Sequence, residues 1–418
     1  ARSDTDIAGA VGRDRRGTAV GGRLGTIDLT ELGVIRTVTT VLDDGQPVGW
    51  LALNSSVRPR AVGGIRCTPD LDARKVSALA DAMSWKFAFL GMPLGGAKAG
   101  LIADPEWSPE QRVSAIRGFG RALGPQLRSR IYGAGTDMGF GPEDMWEFSV
   151  GAGRVSGPPP PPVQRGNTGV ATAMTVHASA VEALRATRGE VAGATVAIEG
   201  FGAVGSTLAG MLDRSGARVV GVSNQLAAIY RADGLDVSRL QALRAEHGDD
   251  GLAGYDGGQS IRHEELLELD VDVLVPCAAH WSLNLKNVDR LQCSAVVAAA
   301  NCPIEQELGE DGLERRGILV VPDFVANSGG ILYANLPASD RTRREILETM
   351  FPDLVARLFR KSSTGGQNVT QVARAIAAER AHDIEHDRER ADRELAELDR
   401  AFARRRSGVG RRLYGERP

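Results

Sequence analysis

The hexapeptide Gly200-Phe201-Gly202-Ala203-Val204-Gly205 constrains this chain more than any other stretch. It follows a short apolar run, TVAIE, that reads as a strand. It opens a segment, to Asp213, that reads as a helix. The spacing fits G-x-G-x-x-G. The first glycine permits a tight turn, the second lets a pyrophosphate approach the backbone, and the third lets helix and strand pack closely. With 51 glycines in the chain, the triplet alone is a weak signal. The strand–turn–helix context makes it a site for NAD or NADP, with phosphates at the helix N-terminus. The next strand, ARVVGVSNQ, should end in an acidic residue for the ribose 2′-hydroxyl. That position falls at Ser223 or Asn224, and neither is acidic. Asn224 would not repel a 2′-phosphate, and Arg231 lies downstream. NAD and NADP therefore both stay open.

From Thr168 onward, helical and strand-like segments alternate. TGVATAMTVHASAVEALRA reads as a helix; RVVGVS, DVDVLVP, AVVAAAN and ILVVPDF read as short apolar strands. Such alternation implies a mostly parallel sheet covered by helices. The N-terminal half is organised differently. Residues 34–54 alternate as a hairpin with an Asp44-Gly45 turn, and residues 70–90 and 108–123 have helical periodicity. GMPLGGAK (91–98) reads as a glycine-rich loop. A strand is expected near Ile131 and a helix from Pro142. Between the halves, residues 151–166 hold five consecutive prolines, Pro158 to Pro162, which stay extended and mark a boundary.

Composition narrows the class. At roughly 100–200 residues per domain, 418 residues suggest two or three domains. A net charge of -3 argues against binding nucleic acid through phosphate contacts. No apolar run spans a membrane, and the polar, Arg- and Gly-rich start lacks a secretory h-region. Four cysteines without a CxxC pair fit a reducing cytoplasm. Lysine occurs only five times: Lys75, Lys86, Lys98, Lys286 and Lys361.

Two of those lysines stand in unusual places. Lys86 sits among Met83, Trp85, Phe87 and Phe89, and Lys98 ends a glycine-rich turn. Burial disfavours an ammonium and depresses its pKa, which suits a general base. Asp137 stands between glycines in GTDMG, and Gly63-Gly64 offers another close approach to the backbone. By spacing alone, snorkelling lysines and a turn-capping aspartate explain these residues as well.

Taken together, AVGGIR (61–66), MSWKFAFLGMPLGGAKAGL (83–101), GTDMG (135–139), NTGVATA (167–173), AIEGFGAVG (197–205), AAN (299–301) and VVPDFVANSGG (320–330) resemble the glutamate/leucine/phenylalanine/valine dehydrogenases. They occur in that family's order and cover roughly residues 35–380. The resemblance implies reversible oxidative deamination of an L-amino acid to a 2-oxo acid and ammonia, with NAD or NADP. It implies two α/β domains around a cleft. Residues 25–165 would bind substrate and oligomerise, completed by C-terminal helices at 330–400. Residues 166–329 would form a Rossmann-type dinucleotide-binding domain. Residues 1–24 and 401–418 would be flexible tails. Lys86 would bind the substrate carboxylate, Lys98 would activate water, and Asp137 would shuttle protons. Thr168, Asn301 and Asn327 match positions near the nicotinamide or substrate backbone. A homo-oligomer is implied.

Departures from the family bear on the substrate. Ala99 replaces a glycine of the lysine loop. The lysine and serine that grip a glutamate side chain correspond here to Val62 and Ala334. Val62, Gly135 and Ala334 are all small, which implies a roomy pocket for a neutral, bulky apolar or aromatic amino acid, and Gly63 and Gly64 would line the substrate's approach. An unpaired carboxylate there would cost several kcal/mol, roughly. Arg60 keeps an acidic substrate open as the alternative. A drifted, dinucleotide-binding regulatory homologue or a specialised biosynthetic enzyme is another, although joint retention of Lys86, Lys98 and Asp137 argues against lost catalysis. His382-Asp383-Ile384-Glu385-His386 matches H-x-x-E-H, but its charged surroundings argue against a metal. Cys277, Cys302, His177 and His280 read as packing or loop residues.

Overall fold

The computed structural model describes Leu32, residues 35–43, 45–55, 60–157, 168–278, 280–336 and 339–386, and Arg393. The expected tails (1–24 and 401–418) and the proline run lie outside the described residues. The chain divides into two compact units. One holds residues up to Phe87 and Leu94–Pro161; the other holds Ala88–Pro93 and everything from Pro162.

The first unit is built on a five-stranded sheet of order β1-β2-β4-β3-β5. Strands β1 (Ile35–Asp43) and β2 (Gln46–Ser55) form the expected hairpin. β3 (Ala61–Thr68) and α1 (Ala73–Phe89) follow, then β4 (Gly95–Ile102) and α2 (Pro109–Arg128), then β5 (Tyr132–Thr136) and α3 (Pro142–Gly151). β4 pairs antiparallel with β2 and parallel with β3, and β3 runs parallel to β5.

The segment expected to be a loop up to Lys98 is thus in part a central strand. Its glycines and alanines carry no β-propensity signal. Gly96 and Gly100 are small because α1 presses on that face of the strand. A Cβ on Gly100 would lie 2.6 Å from Val76 Cγ2, and one on Gly96 would overlap the Ala80 carbonyl and Ser84. Ile65, Cys67, Ala97, Ala99 and Leu101 face the other way, into a core with Ile116, Phe119 and Leu123 of α2 and Phe148 of α3. Helix α2 starts on a capping box: Ser108 Oγ accepts from Gln111 N–H, and Gln111 Oε1 accepts from Ser108 N–H at 2.7 Å.

The second unit holds a seven-stranded sheet of order β12-β11-β10-β6-β7-β8-β9. It opens with α4 (Thr168–Arg188), β6 (Thr195–Glu199), α5 (Ala203–Arg214) and β7 (Arg218–Ser223). Then come β8 (Ala228–Tyr230), α6 (Val237–His247), α7 (Asp250–Ala253), β9 (Gln259–Ile261) and α8 (His263–Leu267). β10 (Val273–Pro276), β11 (Ala295–Val297), α9 (Gly309–Glu314) and β12 (Leu319–Val321) complete the sheet. The five strands from β12 to β7 in that order run parallel, as expected. β8 and β9 add an antiparallel edge. At three residues each, these two were too short to show a period.

The chain ends in α10 (Asp323–Ala326), α11 (Gly329–Asn335), α12 (Asp340–Glu345), α13 (Phe351–Gly365) and α14 (Val369–His386). These helices, expected with the first domain, group with the second unit. α13 packs on α4, and α14 on β12. The short segment 88–93 joins them because the Phe89 ring meets Phe324 edge-on and lies under the Arg380 guanidinium. No described helix is long and apolar enough to cross a membrane.

Candidate active site

Strand alternation decides where the candidate residues of the first unit point. Ala61, Ile65 and Cys67 of β3 face the α2 core, so Val62, Gly64 and Arg66 take the opposite face. Lys98, between Ala97 and Ala99, joins them there. Gly64 is needed as a glycine: a Cβ would sit 2.8 Å from the Thr136 carbonyl oxygen and 2.9 Å from Asp137 Cβ. The gap lets Asp137 fold over the sheet. A tight turn fixes it, with Phe140 N–H donating to Asp137 O at 3.0 Å and Gly139 at φ +70.

Two cationic groups converge on one carboxylate oxygen. Lys98 Nζ lies 2.6 Å from Asp137 Oδ2, and Arg66 Nε donates to the same oxygen at 3.0 Å. The two cations are buried (4% side-chain exposure each), and Asp137 is the more accessible at 17%. Burial pushes the Lys98 ammonium below the ordinary lysine value. Asp137 opposes that shift, while the charges of Arg66 and Lys86 reinforce it. Burial alone would raise the Asp137 carboxyl; Lys98, Arg66 and the Met138 backbone N–H outweigh it and hold the group low. Lys86, in the last turn of α1, is buried at 2% exposure.

A buried polar network steadies the strand beside Lys98. Ser84 Oγ accepts from Gly96 N–H at 3.2 Å and from Asn54 Nδ2 at 3.1 Å. Asn54 Nδ2 also donates to Asp81 Oδ1 at 2.8 Å, and Arg36 pairs with Asp81. Burial raises the Asp81 carboxyl to about 6 in spite of Arg36.

In the second unit the glycine-rich turn has the form its spacing implies. Gly200 takes φ +102, which L side chains rarely adopt. A Cβ on Gly205 would overlap the Gly200 carbonyl, whereas one on Gly202 would meet nothing within 4 Å. The turn is therefore packed beneath and open above, at the N-terminus of the 12-residue α5. A pyrophosphate fits there, against the N–H groups of Ala203, Val204 and Gly205.

Asn327 gathers a second group. Its Nδ2 donates to Ala299 O at 3.1 Å, Ala300 O at 3.0 Å and Asn301 Oδ1 at 3.3 Å. Its own Oδ1 is buried with no hydrogen-bond partner, an acceptor that suits the amide of a nicotinamide. Thr168 begins α4 and borders Gly330. Asn224 behaves differently. Its Oδ1 accepts from Leu226 and Ala227 N–H, and its Nδ2 donates to Asp249 O at 2.6 Å. That side chain is occupied in holding a turn.

Comparisons with known proteins place the chain in a family. The family model "Glutamate/Leucine/Phenylalanine/Valine dehydrogenase" matches residues 166–388, and "Glu/Leu/Phe/Val dehydrogenase, dimerisation domain" matches residues 34–149. The chain belongs to the Glu/Leu/Phe/Val dehydrogenase family. A glutamate dehydrogenase of Thermotoga maritima is 36% identical over 307 residues, covering 69% of this chain and 72% of that protein. An NADP-specific glutamate dehydrogenase of Saccharolobus shibatae is 29% identical over 361 residues, covering 80% and 83%. Among solved structures, the leucine-bound hetero-hexameric glutamate dehydrogenase of Thermus thermophilus superposes with TM-score 0.65 at 27% identity, covering 84% of this chain and 88% of that one. L-Tryptophan dehydrogenase of Nostoc punctiforme shares the fold, with TM-score 0.59 at 23% identity over 86% and 99% of the two chains.

As a member of the Glu/Leu/Phe/Val dehydrogenase family, the chain is an amino-acid dehydrogenase that uses NAD or NADP. Of the residues expected from the sequence, Lys98 and Asp137 are in contact, with Gly64 beside them. Gly135 pairs with Gly64 across β5 and β3. A Cβ on Gly63 would overlap the Ala97 carbonyl, so Gly63 serves strand packing. Ala334 lies on α11, in the second unit. Arg66 was missed. Its signal was available: it stands at an alternate position of AVGGIR, on the same strand face as Gly64.

Proposed function

We propose that this enzyme carries out reversible oxidative deamination of a neutral, bulky L-amino acid, giving a 2-oxo acid and ammonia. The observation that carries the reading is the buried Lys98–Asp137 pair on the glycine-lined sheet face. Lys86, buried and close enough for its charge to act on Lys98, takes the substrate α-carboxylate. Gly200, Gly202, Ala203, Val204 and Gly205 would hold the pyrophosphate of NAD or NADP, which when bound would supply the acceptor for the hydride of the substrate Cα. Thr168, Asn301 and Asn327 serve the nicotinamide end.

Oxidation leaves a substrate iminium. Lys98, as the free amine, takes a proton from water while the water oxygen bonds to the iminium carbon. The proton that Lys98 took from water passes through Asp137 to the departing nitrogen, so the carbinolamine releases ammonia. The 2-oxo acid then forms as the hydroxyl proton is lost. A lysine whose burial lowers its pKa is free amine more of the time near neutral pH, which suits this task.

The neutral side chain is inferred from Val62, Gly135 and Ala334, none of which bears charge. One observation favours the second reading, an acidic substrate. Arg60 Nε and Val62 Cγ2 flank the same side of Gly133, at 3.3 and 3.0 Å from where a Cβ would stand. The guanidinium is therefore beside the position expected to read the substrate side chain. Relatives named glutamate dehydrogenases add weight to it. A homo-oligomer in the cytoplasm completes the proposal, supported by exposed Val38 and Leu42 on edge strand β1 and by Cys67, Cys277, Cys293 and Cys302, which form no disulfide.

The test is absorbance at 340 nm with ammonia, NADH or NADPH, and a panel of 2-oxoglutarate, branched-chain oxo acids, phenylpyruvate and indolepyruvate. Turnover of a neutral oxo acid is expected. Turnover confined to 2-oxoglutarate replaces the first reading with the second, and none with any oxo acid overturns both.

A further inference from the structure

We propose that Arg66 is a positioning residue for the reaction, pinning the Asp137 carboxylate and keeping it compensated while Lys98 gives up its proton. This rests on the roles just assigned to Lys98 and Asp137. The base has to alternate between ammonium and free amine. As ammonium, Lys98 and Arg66 share Asp137 Oδ2, at 2.6 and 3.0 Å. As free amine, Lys98 no longer offers a charge to the carboxylate. A carboxylate left without a counter-ion in this environment is strongly penalised. Without another cation, that penalty would hold the proton on Lys98.

Arg66 supplies the other cation. A guanidinium stays protonated throughout the accessible pH range, so its charge is constant across the cycle. It reaches Asp137 from β3, while Lys98 reaches it from β4, so the two cations approach from neighbouring strands. Both cations are buried at 4% exposure, and the carboxylate between them is the accessible member. Arg66 thus keeps the resting Asp137 carboxylate compensated and in place whether Lys98 is ammonium or free amine, and Asp137 holds a proton only while passing it on. Its positive charge also disfavours protonation of Lys98, as the contribution of Arg66 to lowering that group indicates.

Arg66→Gln removes the charge, and Arg66→Lys keeps it without the guanidinium. In the pH profile of kcat/KM, activity rises as Lys98 deprotonates. Arg66→Gln is expected to move that rise upward by about one pH unit or more, so that most of the lost rate returns at high pH. The Kd for NADH or NADPH is expected to stay unchanged. Arg66→Lys should fall between Arg66→Gln and the parent.

A second readout is independent of turnover. With five lysines in the chain, 15Nζ-lysine labelling gives few resonances, and Lys98→Gln identifies that of Lys98. Its titration should move upward in Arg66→Gln, and by less in Arg66→Lys. An unshifted titration, or a loss of rate equal at every pH, overturns the proposal. If the parent turns over no amino acid, the catalytic reading fails, while the titration still decides whether Arg66 governs Lys98. If Arg66→Gln does not fold, Arg66→Lys carries the same comparison.

Discussion

Lys98 Nζ and Asp137 Oδ2 meet at 2.6 Å, across two strands that are not neighbours: Lys98 lies on β4, Asp137 just beyond β5, and β3 runs between them. The contact exists because β3 carries glycine at position 64, where any side chain would collide with Asp137. Much of the expected chemistry follows from that one pair.

Replacing Lys98 with Met removes the base but keeps an unbranched apolar stem. Turnover should fall about 10²–10⁴-fold, the ordinary contribution of a positioned acid–base group. Cofactor affinity, followed by fluorescence titration with NADH or NADPH, should be unaffected. A Lys98→Met enzyme of near-parental kcat would remove Lys98 from the mechanism.

Asp137→Asn leaves two buried cations facing an amide. At neutral pH it should cost about 3 kcal/mol in urea unfolding, a typical loss on breaking a buried pair. The Asp137 carboxyl is held below its unfolded value, so its stabilisation is present above about pH 4 and lost as pH falls through the folded value. The stability gap between parent and variant should therefore close on acidification.

Val62→Lys restores a side-chain cation at the proposed specificity position. Activity toward 2-oxoglutarate should rise at least tenfold relative to phenylpyruvate. Arg60→Gln separates the readings: it leaves the neutral activity intact in the first and abolishes 2-oxoglutarate turnover in the second. Initial rates at 340 nm with both oxo acids decide between them.

Asp81 is a buried carboxyl raised to about 6. Its folded value exceeds its unfolded one, so the folded state binds the proton more tightly between about pH 4 and 6. The contribution of Asp81 to stability should decline as pH rises through that window and stay low above it. Asp81→Asn mimics the protonated form. Its unfolding free energy relative to the parent should increase by about 2 kcal/mol between pH 4 and pH 8. Parallel pH profiles would contradict this account.

Gly205→Ala forces a methyl group into the Gly200 carbonyl. Overpacking of that kind costs about 1–3 kcal/mol. It should also displace the turn, weakening NADH or NADPH binding measurably by fluorescence. Gly202→Ala, where a Cβ meets nothing, should leave thermal stability intact while still hindering the dinucleotide.

The glycine-rich turn was legible because its determinants are local. Gly200 to Gly205 act within one strand–turn–helix, so spacing alone expresses them. Lys98 and Asp137 were legible through the company of their motifs rather than through any period. β4 was not, because its strand signal is erased by the small residues that α1 requires. The C-terminal helices were placed by analogy with the first domain, yet packing on α4 and β12 groups them with the second unit. Asn224 ends the strand where a ribose contact is expected, and its Oδ1 also holds a turn by accepting from Leu226 and Ala227 N–H, which spacing does not reveal.

By itself, the sequence determined the glycine-rich strand–turn–helix, the helix–strand alternation and the residue types able to do acid–base chemistry. These depend on neighbours within a few positions, where turn geometry and side-chain period act directly. Only the tertiary structure decided that Arg66 shares a carboxylate oxygen with Lys98, that Gly64 makes room for Asp137, and that Arg60 stands beside Val62. Those relations depend on strand order and on which face each residue takes. Both are settled when α1 and α2 cover opposite sides of the sheet and leave Lys98, Arg66 and Asp137 to neutralise one another.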